Sequence, residues 1–160
     1  MKKTPMEIID CDFLVLGSGI AGLVSALHLA RYGKVLVATK KDRAESNTNF
    51  AQGGIACVMT SEDSFESHIR DTLDAGAGLC HEDVVRRIVS EGPARIAELE
   101  QLGVAFAGQE TPGGHQYDLG KEGGHTQRRV LHAGDITGRE IEKVLLNRAQ
   151  AQPSITILEH

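Results

Sequence analysis

Phe13-Leu14-Val15-Leu16 runs without a break into Gly17-Ser18-Gly19-Ile20-Ala21-Gly22. The first four residues read as a short buried β-strand, and Ile20, Leu23, Val24 and Leu27 then recur at helical spacing up to Gly33. Lys34 to Thr39, KVLVAT, is a second apolar strand, with Val35 and Val37 favouring the extended state. A strand, helix, strand unit of about 30 residues joins two parallel strands by a right-handed crossover. Its turn is a G-x-G-x-x-G run in which each glycine has its own task. Gly17 allows the tight turn, Gly19 lets the backbone approach a pyrophosphate, and Gly22 lets the helix pack on the strand. Amides at the helix start then face the phosphates, where the helix dipole favours negative charge. A tight turn without a ligand is the alternative, and correct periodicity on both sides weighs against it.

Downstream, Phe65, Ile69, Thr72 and Leu73 carry a second helical series, and Val84, Val85, Ile88 and Val89 a third. Pro93 interrupts the third, which resumes at Ile96, Leu99 and Leu102, so two helices or one kinked helix are expected. Gly108 to Gly124 is rich in glycine and reads as a loop or hairpin. Thr137 to Glu140, TGRE, fits a capping box opening a helix with Ile141, Val144 and Leu145, and Ser154 to His160 reads as a closing strand. This order predicts an α/β domain with a parallel sheet, of Rossmann-like type. A doubly wound sheet normally continues past such a strand, so the sheet is expected to be incomplete and the chain to be the N-terminal piece of a longer protein.

The 160 residues suit about one domain on a prior of roughly 100 to 200 residues each. The net charge of -5, with no basic stripe interleaved with aromatics, argues against nucleic acid. Glu7, Asp10 and Asp12 interrupt any signal-peptide core, and no apolar run approaches the roughly 18 to 20 residues of a membrane span. A soluble, cytoplasmic protein with reduced thiols is expected. Cys11, Cys57 and Cys80 fit neither a zinc site nor a disulfide framework, and Cys11 reads as a small hydrophobe at the start of the first strand. The seven histidines contain no helical H-x-x-x-H pair, so no metal is predicted.

Ala38-Thr39-Lys40-Lys41 stands where an acidic residue would bind ribose hydroxyls. Lys40 favours a phosphate contact or another ribose geometry, leaving FAD and NADP both open, with a solvated surface lysine as the alternative. Ser46 to Ala56, SNTNFAQGGIA, follows at the carboxyl edge of the sheet, where open α/β sheets bind ligands. Its amides around Gly53 and Gly54 can approach a flat ring or a phosphate without side-chain obstruction. Further on, Glu122 to Arg129 gathers His125, Arg128 and Arg129, and bidentate arginine suits the carboxylates of a dicarboxylate. Each of these cations equally suits an ordinary surface.

GSGIAGL, the TKK that follows the second strand, SNTNFAQGGIA and GKEGGHTQRRVLHAGDITGREI together resemble the flavoprotein family of succinate dehydrogenase, fumarate reductase and L-aspartate oxidase. EGGHTQRRVLHAGDITG carries the likeness to the L-aspartate oxidase branch, and the resemblance runs through nearly all of the chain. It implies FAD, with Gly17, Ser18, Gly19, Ile20, Ala21 and Gly22 at the pyrophosphate and Lys40 near the adenosine part. Asn47, Thr48, Asn49, Phe50, Ala51, Gln52, Gly53 and Gly54 would line the flavin. Relatives with covalently bound flavin carry a histidine in a pattern like SHT, and Ser46-Asn47-Thr48 stands there in this chain. Asn47 cannot form a histidyl bond, which implies non-covalent FAD. Glu122 would lie in the active site and meet the substrate's ammonium group, and Arg129, the second catalytic candidate, matches an arginine that the succinate dehydrogenase side also has.

The implied activity is FAD-dependent oxidation of L-aspartate to iminoaspartate, with oxygen or fumarate as acceptor, feeding quinolinate and NAD synthesis. Quinolinate synthase is a candidate partner. Residues 1–160 would form the N-terminal part of the FAD-binding domain, and the capping and C-terminal domains with most of the substrate clamp would lie elsewhere, leaving this piece alone inactive. A fumarate reductase or succinate dehydrogenase type flavoprotein and a non-catalytic nucleotide-binding fragment are the alternatives.

Overall fold

The structure, a computed structural model, describes residues 8–40 and 42–159. The lysine-rich tip before Ile8, Lys41 and His160 lie outside the described residues. The chain divides into two compact units, one formed by the residues before Thr48 and from Leu145 onward, the other by Thr48–Val144.

In the first unit, β1 (Phe13–Leu16), α1 (Ile20–Leu29), β2 (Val35–Ala38) and β7 (Ile155–Leu158) match the expected order. The strands form one parallel sheet in the order β1-β2-β7, with Phe13 opposite Val35 and Val35 opposite Ile155. Helix α1 packs on β1 and β2 and buries Leu23 and Ala26 completely. Side chains alternate between faces along a strand, so Phe13 and Val15 share one face while Leu14 and Leu16 take the other. Leu14 and Leu16 are 58% and 78% exposed, so β1 is a half-covered strand rather than the buried one its apolar run suggested. Cys11 also departs from expectation: it is exposed and precedes the strand, and Cys57 is the buried cysteine.

In the second unit, α2 (Phe65–Ala75) starts at Ser64, whose hydroxyl accepts the N–H of Ser67 at 3.1 Å. Helix α3 (Glu82–Leu102) is continuous through Pro93 and ends at Gly103, which takes φ +109°. Val85, Val89, Ile96 and Leu99 lie buried along its inner face on both sides of the proline. The glycine-rich segment is a hairpin of β4 (Gly108–Thr111) and β5 (Gly114–Tyr117). Two short strands that no periodicity announces, β3 (Ile55–Ala56) and β6 (Val130–Leu131), pair antiparallel. They join the end of the glycine loop to the arginine-rich segment.

Helix α4 (Thr137–Gln150) begins in the second unit, and its later residues, among them the buried Leu145, Leu146 and Ala149, belong to the first. Thr137 does not cap it as the TGRE pattern suggested. The residue is already helical, and its side chain is bonded elsewhere. Among the described residues no helix is long and apolar enough to cross a membrane.

Candidate functional site

The glycine fingerprint of the first unit forms a tight descent from strand into helix. Gly17 has φ +102°, and Gly19 is the residue before the first helical turn of α1, with no side-chain capping bond and no acidic residue in that turn. Gly22 is where the helix meets the turn: a Cβ there would fall 2.0 Å from the Gly17 carbonyl oxygen. A helix start that lacks a cap and a local acid offers its amides and dipole to an anion. Ser18 is 2% exposed, and its hydroxyl donates to the buried Thr39 hydroxyl at 3.3 Å. Thr39 thus ties the end of β2 to the fingerprint turn, at the place where an acidic residue was absent. Lys40 follows it and is exposed.

The loop after β2 is pinned by a pair that sequence reasoning did not reveal. Arg43 donates through its backbone N–H, Nε and Nη2 to the Glu159 carboxylate, at 2.6, 2.7 and 2.5 Å. The two residues stand 116 positions apart, so no local pattern signals the contact. Asn47, at the end of this unit, is exposed.

In the second unit, Thr48–Phe50 makes a single 3-10 turn closed by the Ala51 N–H on the Thr48 carbonyl. Phe50 is 66% exposed, an aromatic face turned outward beside the glycine pair. Gly53 and Gly54 are exposed on one side and crowded on the other. A Cβ at Gly54 would meet the Leu131 carbonyl oxygen at 2.2 Å, so only glycine lets the loop reach β6. A Cβ at Gly53 would stand 3.2 Å from Oε1 of Glu122, which is itself exposed. The structure thus brings Glu122 to the glycine loop 69 residues earlier.

Arg129 occupies a different environment from the one expected of a substrate clamp. It is fully buried. Its Nε and Nη2 donate to the two oxygens of Asp63 at 2.8 Å, Nη1 donates to Asp71 at 2.8 Å, and Nη2 also reaches the Ser67 hydroxyl at 3.1 Å. Asp71 in turn accepts the backbone N–H and the hydroxyl of Thr126 at 2.8 and 2.9 Å. Thr126 lies on the segment that carries Glu122, so the buried network ties that segment to α2. Burial alone would raise the Asp71 pKa, but the Thr126 bonds and Arg129 outweigh it and hold the carboxyl below its ordinary value.

Beside the network, His68 and His125 meet edge to face with centroids 6.0 Å apart. Each has a buried Nδ1 with no partner among the described residues. Burial lowers the His68 pKa, and the neighbouring Arg129 and His125 add to the effect. Arg128, by contrast, is exposed and donates to the Leu119 carbonyl at 2.9 Å. His132 approaches Asp118 at 3.6 Å. Burial pushes the Cys57 thiol up to about 11, which leaves it an inert core residue. Among the described residues no group of three or more His, Cys, Asp or Glu side chains is placed to hold a metal ion.

Taken separately, the uncapped start of α1 in the first unit suits a phosphate group, and in the second unit the loop from Thr48 to Gly54, with bare glycine backbone and an outward aromatic, suits a flat heterocycle.

The FAD binding domain family matches residues 12–160. A chloroplastic L-aspartate oxidase of Nicotiana tabacum is 50% identical over 149 residues, covering 93% of this chain and 23% of the relative. The L-aspartate oxidase of Vibrio cholerae is 48% identical over 152 residues, covering 94% and 28%. Among solved structures, a quinol fumarate reductase of E. coli superposes with a TM-score of 0.84 at 30% identity, covering 95% of this chain and 26% of that one. The chain spans about a quarter of the length of the curated relatives it matches.

Proposed function

The chain belongs to the FAD binding domain family, and from that premise we propose that it is the FAD-binding N-terminal part of an L-aspartate oxidase, working in de novo NAD synthesis through quinolinate. The observation that carries the reading is Glu122 beside Gly53. Bound FAD supplies the acceptor for a hydride from the substrate α-carbon.

The chain's own residues bind and orient. The first turn of α1 would hold the pyrophosphate, Lys40 would stand near the adenosine part, and Asn47, Thr48, Asn49, Phe50, Ala51, Gln52, Gly53 and Gly54 would lie along the flavin. Glu122, exposed at the glycine pair, would meet the α-ammonium of L-aspartate, a positive group that succinate lacks. Arg129 supports this arrangement from within, through Asp71 and Thr126. With its guanidinium already on two carboxylates, it reaches a substrate only by leaving them.

Oxygen or fumarate as acceptor, a cytoplasmic location and an association with quinolinate synthase follow from the same reading. The likeness to quinol fumarate reductase favours a second reading, a fumarate-reducing flavoprotein of the same fold. Glu122→Gln in the full-length protein separates the two. An aspartate oxidase should lose most of its L-aspartate oxidation through a raised KM while its FAD content stays unchanged. Undiminished L-aspartate turnover in the variant would refute the role of Glu122.

A further inference from the structure

The first residues of an α-helix carry N–H groups with no acceptor inside the helix. At the start of α4 one of these is satisfied by the glycine loop: Gly138 donates its N–H to the Ala51 carbonyl at 2.9 Å. Beside it, the Thr137 hydroxyl donates to the Gly53 carbonyl at 3.3 Å and accepts the Ala133 N–H at 3.2 Å. Thr137 is 3% exposed, so its hydroxyl is committed to these partners and not to solvent. Glycine is required at 138, because a Cβ there would fall within 1.8 Å of the Thr48 carbonyl oxygen and 2.8 Å of the Ala51 Cβ.

These two carbonyls fix the direction of the amides that follow them. A trans peptide is planar, so its N–H points opposite to its C=O. Drawing the carbonyls of Ala51 and Gly53 onto the start of α4 therefore turns the N–H groups of Gln52 and Gly54 to the other side of the loop. Neither donates to an acceptor among the described residues, and Gly54 precedes the paired residues of β3. Two donors are thus held outward by a buried hydroxyl and a helix end.

We propose that Thr137 and Gly138 are positioning residues for FAD, setting the amides of Gln52 and Gly54 toward the acceptor-rich edge of the bound flavin. The proposal rests on the family reading that FAD lies along this loop. Neither residue touches the cofactor; both act through the loop they hold.

The test titrates FAD into the apo form of the full-length protein and of Thr137→Val and Thr137→Ser, following flavin fluorescence and absorption bands, with the melting temperature of each apo form. Thr137→Val keeps the shape and removes the hydroxyl, so FAD affinity should fall about tenfold, the scale of one hydrogen bond, with shifted flavin bands. Thr137→Ser should restore affinity, bands and apo melting. Apo Thr137→Val should melt lower because the buried Ala133 N–H loses its acceptor, but its FAD affinity should already be reduced well below that melting temperature. Unchanged affinity and bands in Thr137→Val would overturn the proposal, as would an affinity loss that tracks apo melting and is not rescued by serine. If the unsubstituted protein itself takes up no FAD, the cofactor reading falls and this proposal with it.

Discussion

Arg129 meets Asp63 through two parallel hydrogen bonds, Nε to Oδ2 and Nη2 to Oδ1, each 2.8 Å, with both side chains almost fully buried. Such a fork is open to arginine and not to lysine, whose ammonium is a point donor. A third bond to Asp71 makes one guanidinium the shared cation of two buried carboxylates. Removing it would leave both without a countercharge, and breaking a buried pair in this way costs about 3 to 5 kcal/mol. Arg129→Ala is therefore expected to lower the free energy of unfolding by that amount, read from urea denaturation, and Arg129→Lys to recover only a minor part. A variant with normal stability and a defect confined to substrate KM would return Arg129 to the substrate.

The network also explains which parts of the site were legible beforehand. The fingerprint, the glycine loop and Glu122 lie in contiguous motifs, so spacing and resemblance could single them out as candidates. Asp63, Ser67, Asp71, Thr126 and Arg129 come together only when α2 meets the arginine-rich segment. A substrate-facing and a buried arginine look alike in one dimension. Thr137 was misread for a related reason: TGRE satisfies the capping pattern, but tertiary contact with Gly53 took the hydroxyl. β3 and β6, two residues each, are too short for any period to appear. Leu14 and Leu16 read as buried because a run of apolar residues does not say whether both faces of a strand are covered.

His68 gives the stability a pH dependence of predictable sign. Burial, then Arg129 and His125, depress its pKa from 6.5, so the folded protein stays unprotonated where the unfolded chain already binds a proton. Stability rises with pH wherever the unfolded state holds more protons. It should therefore fall as pH drops below 6.5, by no more than about 1.4 kcal/mol per pH unit for one proton, until the lowered folded value is passed. The Asp71 contribution runs separately: its depressed carboxyl stabilises the fold above 3.8 and is lost only as pH falls from there through the folded value. Urea midpoints from pH 8 to pH 5 should slope in the parent protein and flatten in His68→Gln. Equal slopes would remove His68 as the source.

Gly22 and Gly53 should respond differently to one added methyl. At Gly22 the methyl meets the backbone of Gly17, which cannot turn aside, so Gly22→Ala must lift α1 from the turn. FAD binding should be lost, measured by fluorescence titration. At Gly53 the nearest atom is the far end of the Glu122 side chain at 3.2 Å, which can move by rotation. In the full-length protein, Gly53→Ala should therefore fold normally and keep FAD while, on the proposed reading, raising the KM for L-aspartate through displacement of Glu122. If Gly22→Ala keeps FAD, or Gly53→Ala loses it before affecting KM, the two roles have been assigned the wrong way round.

Asn47 determines how FAD should leave the protein. A histidyl linkage needs an imidazole nitrogen whose lone pair can bond to carbon, and the amide nitrogen of asparagine has its lone pair delocalised into the carbonyl. Without that bond, only non-covalent contacts of the folded protein would retain the cofactor; on the proposed reading the first turn of α1 and the loop from Thr48 to Gly54 supply some of them. Acid unfolds those contacts together, whereas a covalent bond survives unfolding. Acid precipitation of the FAD-loaded full-length protein should thus leave the yellow colour in the supernatant, read from its absorbance. Colour that stays with washed, denatured protein would mean that a residue other than Asn47 carries the flavin.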